Sequence, residues 1–180
     1  MLLRHSVACG LAMRALAERS GPGVPVEPDE AFTYGLLHDI GKVVFECFLP
    51  EEGGTAAELS RSRQIPLHEA EKEVLGLNHA ELGALLANRW KLPQLLADSI
   101  AGHHRVTACA QPGVRRMAGI LAVANAICTC CGLPAGPQSA VELGEADWSA
   151  SRLSNRDILP ALDRFFASLP MLDELTGLGT

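Results

Sequence analysis

The residues best equipped for chemistry in this 180-residue chain are two dipeptides, His38-Asp39 and His103-His104. His38-Asp39 lies inside Gly35-Leu36-Leu37-His38-Asp39-Ile40-Gly41-Lys42, a stretch otherwise dominated by apolar residues and glycine. A carboxylate buried in such a segment is costly unless something positive meets it. A divalent cation flanked by imidazoles would serve. Adjacent residues of a helix point about 100° apart, so His38 and Asp39 can approach one ion from two sides. His79 and His5 stand on other segments and could complete the set. Imidazole with carboxylate suits Fe, Mn, Zn or Ni and does not choose among them, nor between one ion and two.

Each residue also has a plainer reading. His38-Asp39 could be a hydrogen-bonded core pair, and His103-His104 could end a helix, where a cationic ring favours the negative end of the dipole. Taken together, the two dipeptides favour a metal site. His68, beside Glu69 and Glu71, reads as solvated.

The elements that must position these residues read as helices. Leu2 to about Ala17 is rich in Ala and Leu, and Gly21-Pro22-Gly23-Val24-Pro25 breaks the chain after it. Pro28-Asp29-Glu30 opens a second helix expected to run unbroken through His38-Asp39 to Phe48. Glu51-Glu52-Gly53-Gly54 reads as a turn, followed by a polar helix from Thr55 to Arg63. Pro66 starts a helix ended by Gly76. Asn78 with Glu81 then forms a capping box for another, whose expected apolar face is Leu82, Leu85, Leu86 and Trp90. Pro93 begins a short helix leading to His103-His104. Met117 to Ile127 is the most apolar stretch and reads as a central helix closed by Gly132. Leu133 to Pro137 is a linker, and shorter helical pieces are expected around Val141 and from Ile158 to Phe166. With no alternating strand pattern and no repeat, the fold class is all-α.

Composition sets the bounds. Apolar residues make up 48% of the chain and charged residues 20%, a balance for a packed globule with one hydrophobic core. The net charge of −6 and the lack of a basic face argue against nucleic acid as a partner. No apolar run approaches the length of about 18 residues needed to span a membrane. The six cysteines include Cys128-Thr129-Cys130-Cys131, but no second pair completes a structural zinc set. The cysteines of this run read as small buried apolar residues of one helix, and reduced thiols in a cytoplasmic setting are expected.

The motif series resembles the HD superfamily of metal-dependent phosphohydrolases, and within it the HDOD branch. The resemblance rests on Arg4-His5-Ser6, the stretch from Gly35 to Lys42, Glu73 with Leu75-Gly76 and His79-Ala80, Gly83, Trp90 with Leu92-Pro93, and His103-His104. It implies an HD-domain-like helical bundle with a His/Asp cluster between helices. Residues 1–132 would form its core, and 133–180 a helical extension packed on the same domain. It further implies metal ligation by His5, His38 and Asp39, with His79, His103 and His104 available to a second ion and Asn125 at the last ligand position. In the hydrolases of this superfamily, Asp39 would bridge two ions whose bound water attacks a phosphorus. Lys42 and Arg105 are candidates to neutralise a phosphate, and Asp39 and Lys42 are the catalytic candidates.

Asn125 stands where a carboxylate would be wanted, and no Gly-Tyr-Pro motif follows His103-His104. The resemblance therefore implies a signalling module acting by protein contact, with metal-dependent hydrolysis of a nucleotide or cyclic dinucleotide as the alternative. HDOD domains also carry helices before the segment matching His5. The first helices are thus expected to show an under-packed apolar face and to favour self-association or a protein partner.

Overall fold

The computed structural model describes residues 1–19, 26–136 and 143–177, and these are helical with no strand among them. The order is α1 (Leu2–Arg19), α2 (Pro28–Leu37), α3 (Ile40–Phe48), α4 (Pro50–Arg63), α5 (Leu67–Leu75), α6 (His79–Arg89) and α7 (Gln94–Gly102). A 3-10 turn, Val106–Ala108, leads to α8 (Pro112–Cys130), α9 (Glu145–Ser151) and α10 (Asn155–Thr176). The all-α reading holds. The break expected at 21–25 and the helical piece expected around Val141 lie outside the described residues.

Helix α1 is the axis of the molecule. His5 to Met13 are buried without interruption, because α2, α8 and α10 all pack on this helix. The under-packed face expected for the first helices is therefore not found on α1. Its sequence explains the density: Ala8, Gly10, Ala12 and Ala15 are small, so neighbouring backbones come close. The closest approach to α1 is at Gly35 of α2, where a Cβ would stand 2.5 Å from the Gly10 nitrogen and overlap the Cys9 carbonyl. Helix α8 supplies the second buried rod, and Met13, Leu16, Ile100, Met117, Ile120, Leu121 and Phe165 fill the space between the helices.

Three local expectations are corrected. The helix expected from Pro28 to Phe48 is two helices, broken at His38 and Asp39, where Asp39 has φ −100° and ψ 13°. The local pattern suits continuation, but the break lets both side chains turn inward and sets α3 against α6. Glu51-Glu52-Gly53-Gly54 is not a turn but the first turn of α4. Pro50 at the helix start and two acids at its positive end outweigh the intrinsic cost of two glycines. Finally, α10 is one helix of 22 residues rather than a short piece, and α9 precedes it.

Gly54 carries a direct prediction. It is exposed inside α4, and a Cβ there would meet nothing within 4 Å. Gly54→Ala should stabilise the chain by about 0.5–1 kcal/mol through the unfolded state, read as a higher urea midpoint at unchanged slope. An unchanged or lower midpoint would show that α4 is not a helix at this position in solution.

Candidate metal centre

Both dipeptides sit just past the end of a helix. His38 is the C-cap of α2 and His103 the C-cap of α7. In each, the ring Nδ1–H donates to the carbonyl three residues back: His38 to Gly35 at 2.8 Å and His103 to Ile100 at 2.6 Å. Carbonyls at a helix end lack intrahelical donors, so the same imidazole satisfies the helix terminus and fixes its own tautomer. The helix-end reading and the ligand reading of these histidines are thus compatible. His5 follows the same rule from α1, donating Nδ1–H to the Leu133 carbonyl at 2.6 Å. His79, the first residue of α6, places Nδ1 2.5 Å from the Glu71 carboxylate, which also accepts its backbone N–H at 2.9 Å. Four imidazoles are held by Nδ1, which leaves the Nε2 atoms to face inward.

Asp39 is the hub. Its Oδ2 lies 3.4 Å from His38 Nε2 and 3.7 Å from His5 Nε2, and it accepts a 2.7 Å hydrogen bond from Lys42. Its Oδ1 turns to the other side, 3.3 Å from His79 Nε2 and 4.0 Å from His103 Nε2. His104 extends this second side, with its Nε2 2.9 Å from that of His79. Three groups of potential ligand atoms result, each converging within 4.8 Å: His38, Asp39 and His103; His79, His103 and His104; and His5, Cys9 and His38. His38 Nε2, His103 Nε2 and Asp39 Oδ1 are buried and have no hydrogen-bond partner. Two ring nitrogens fixed as acceptors and a carboxylate oxygen cannot satisfy one another, because none of them brings a proton. The donor set fits a cation of borderline softness.

The electrostatics agree. Burial lowers His38 to about 3 and depresses His5, His79 and His103 as well, so these rings are neutral and able to ligate at neutral pH. Burial alone would raise Asp39, but its charged surroundings, with Lys42 donating to it at 2.7 Å, outweigh it and keep the carboxylate ionised. Glu71 is raised to about 7, mainly by burial.

Asn125 is half-buried on α8, and Arg105 is exposed, lining a separate cleft with Asn78, Glu81 and Asp98. Lys42 and Glu71 border a cleft of roughly 300 Å³ between α3, α4 and α5, adjoining the cluster.

His68 corrects the sequence reading. It is buried and stacks on His104 with ring centroids 4.2 Å apart. Glu73, part of the motif series, is exposed and pairs with Arg63, while Glu71 supports His79. The i, i+3 spacing of His68 and Glu71 places both on one face of α5, a signal masked by the charged residues around them. Cys9 was also missed as a neighbour of the cluster. It lies one helical turn after His5, and this i, i+4 spacing was legible. The cysteine reading holds for Cys128, which is buried, but Cys130 and Cys131 are exposed, as is Cys47.

Fold and site together define a helical domain closed around a buried His/Asp cluster. The HDOD domain model matches residues 1–106, and the chain belongs to that family. The chain resembles a crystallised HDOD domain protein of unknown function from Geobacter sulfurreducens, with a TM-score of 0.75 and 25% identity. That likeness covers 97% of this chain and 62% of the other. A second crystallised protein, provisionally described as a signal transduction protein, comes from Marinobacter aquaeolei VT8. It has a TM-score of 0.78 at 19% identity, covering 98% of this chain and 38% of that one. An uncharacterized protein of Treponema pallidum (strain Nichols) is 38% identical over 77 residues, which is 43% of this chain and 15% of that protein. The chain therefore spans less than two thirds of each of these relatives. Among the described residues, no helix is long and apolar enough to cross a membrane.

Proposed function

We propose that the chain is a signalling module of the HDOD type that acts by protein contact and holds one or two divalent transition-metal ions (Fe, Mn, Zn or Ni) in the cluster around Asp39. The observation that carries the metal reading is the trio of buried acceptors without donors, His38 Nε2, His103 Nε2 and Asp39 Oδ1. Such groups are expensive to bury, and bound cations would satisfy them. The signalling part rests on the family and on the provisional description of the Marinobacter neighbour. His5, His38, Asp39, His79, His103 and His104 would be the ligands, with Glu71 orienting His79. A metal ion bound there would supply Lewis acidity and a fixed positive charge.

Elemental analysis of the purified chain tests the first half. We expect at least one equivalent of a transition metal, lost in Asp39→Ala. Adding the ion back to chelated protein at about 100 times its Kd should stabilise the fold by about 2.7 kcal/mol. For a chain of this size that is about 5–10 °C in Tm. Metal-free protein whose Tm ignores Mn, Fe, Zn and Ni alike would remove the metal reading.

One observation favours hydrolysis as a second reading: the cleft of roughly 300 Å³ places Lys42 beside the cluster, where it could meet a phosphate. Turnover of a generic phosphodiester or nucleotide by metal-loaded protein, abolished in Asp39→Ala, would reverse the ranking.

A further inference from the structure

Cys9 is fully buried on α1, one turn beyond His5, and its sulfur lies 3.4 Å from His5 Nε2. His5 donates through Nδ1 to Leu133, so its Nε2 is the acceptor and the Cys9 thiol the donor in this contact. The thiol proton occupies the space between two atoms that are both good metal ligands. The third member of the group, His38, aims a fully buried Nε2 without a partner into the same space, and the three ligand atoms converge within 4.8 Å. Nitrogen about 2.0–2.1 Å and sulfur about 2.3 Å from a tetrahedral ion lie about 3.5 Å from each other. The observed 3.4 Å between His5 and Cys9 matches that spacing.

Resting on the metal reading above, we propose that Cys9 supplies a thiolate ligand to an ion on the His5–His38 side of the cluster. Binding exchanges the thiol proton for the metal: the S–H bond breaks, a sulfur–metal bond forms, and the proton leaves to solvent. Charge supports the assignment. Asp39 brings one negative charge to this buried site and shares it with Lys42, so a thiolate adds negative charge that a divalent ion would otherwise lack. A sulfur ligand also narrows the choice of ion, favouring Zn or Fe over Mn.

Cobalt(II) added to the chelated, reduced chain tests this, since cobalt–thiolate bonding gives a near-ultraviolet charge-transfer band separate from the visible ligand-field bands. We expect the charge-transfer band to saturate with the visible bands. It should survive alkylation of the exposed Cys47, Cys130 and Cys131, survive Cys128→Ala, and disappear in Cys9→Ala and Cys9→Ser. Loss of a direct ligand should weaken cobalt binding at least as much as loss of an outer-shell partner, about 10–100-fold. Visible bands without the charge-transfer band in the wild-type chain would overturn the Cys9 assignment and leave the metal reading standing. Absence of both would overturn the metal reading as well. Because the deciding spectrum is that of the wild-type chain, a misfolded variant does not spoil the test.

Discussion

Gly41→Ala should cost the chain about 3 kcal/mol or more, a value at or beyond the upper end for overpacking substitutions. Gly41 lies in the first turn of α3, directly against the backbone of His79 at the start of α6. A Cβ at Gly41 would overlap the His79 carbonyl oxygen and stand 2.8 Å from its carbonyl carbon and Cα. Flexible side chains can move away from an added methyl, but a helical peptide group cannot without displacing its helix. The same seam is tight further along, where a Cβ at Gly83 would meet Ile100 Cγ2 at 3.0 Å and Ile40 Cγ2 at 3.3 Å. Against a total stability of about 5–15 kcal/mol, the loss is large. It also bears on the site, since Asp39 and His79 flank this contact. The urea midpoint should fall and metal affinity should fall with it. A midpoint equal to that of wild type would mean that α3 and α6 do not approach so closely in solution.

Acidification of the metal-free chain should unfold it well above the pH at which carboxylates alone would protonate. His5, His38, His79 and His103 are depressed by burial from an ordinary value of 6.5, His38 to about 3. A depressed group contributes stability above its unfolded value and loses it as pH falls towards its folded value, because only the unfolded chain takes up the proton. The loss therefore begins near pH 6.5. At pH 5, His38 alone accounts for about 2 kcal/mol, at 1.36 kcal/mol per pH unit. The other three imidazoles act in the same direction. Glu71 opposes them: raised from 4.5 to about 7, it favours the fold below 4.5 and loses that contribution as pH rises through 7. One carboxyl against four imidazoles leaves the net slope towards acid unfolding. Circular dichroism with chelator present, from pH 8 to pH 3, should show a cooperative transition between about pH 5.5 and 4. A chain still folded at pH 4 with an unaltered urea midpoint would contradict the burial of these rings as neutral bases.

The parts of this site legible in the sequence are those where polarity contradicts its surroundings. His38-Asp39 stood out because an acid in an apolar run demands a partner, and Asn78 with Glu81 because a capping box is a local signal, here formed as expected. What the sequence concealed was set by tertiary contact. Leu82, Leu85, Leu86 and Trp90 have the spacing of a core face, yet Leu85 and Trp90 are exposed, and α6 buries Ala80, Gly83, Ala84 and Ala87 instead. Hydrophobicity favours the large residues, whereas helices that must touch backbone to backbone need small ones. The break at Asp39 has no local cause either. His68 and Glu71 were hidden by their neighbours, because Glu69, Lys72 and Glu73 make α5 look solvated on every side.

Asp39 and the rings around it come from α1, the α2–α3 joint, α6 and α7, so an ion gripped there would join residue 5 to residue 103. In polymer terms it would be a removable cross-link. Closing a loop of about 100 residues with a disulfide withdraws about 4.7 kcal/mol of chain entropy from the unfolded ensemble. A disulfide does so permanently, whereas an ion does so to an extent that grows with the logarithm of its free concentration above its Kd. The cohesion of the first seven helices would then follow the supply of metal around the protein.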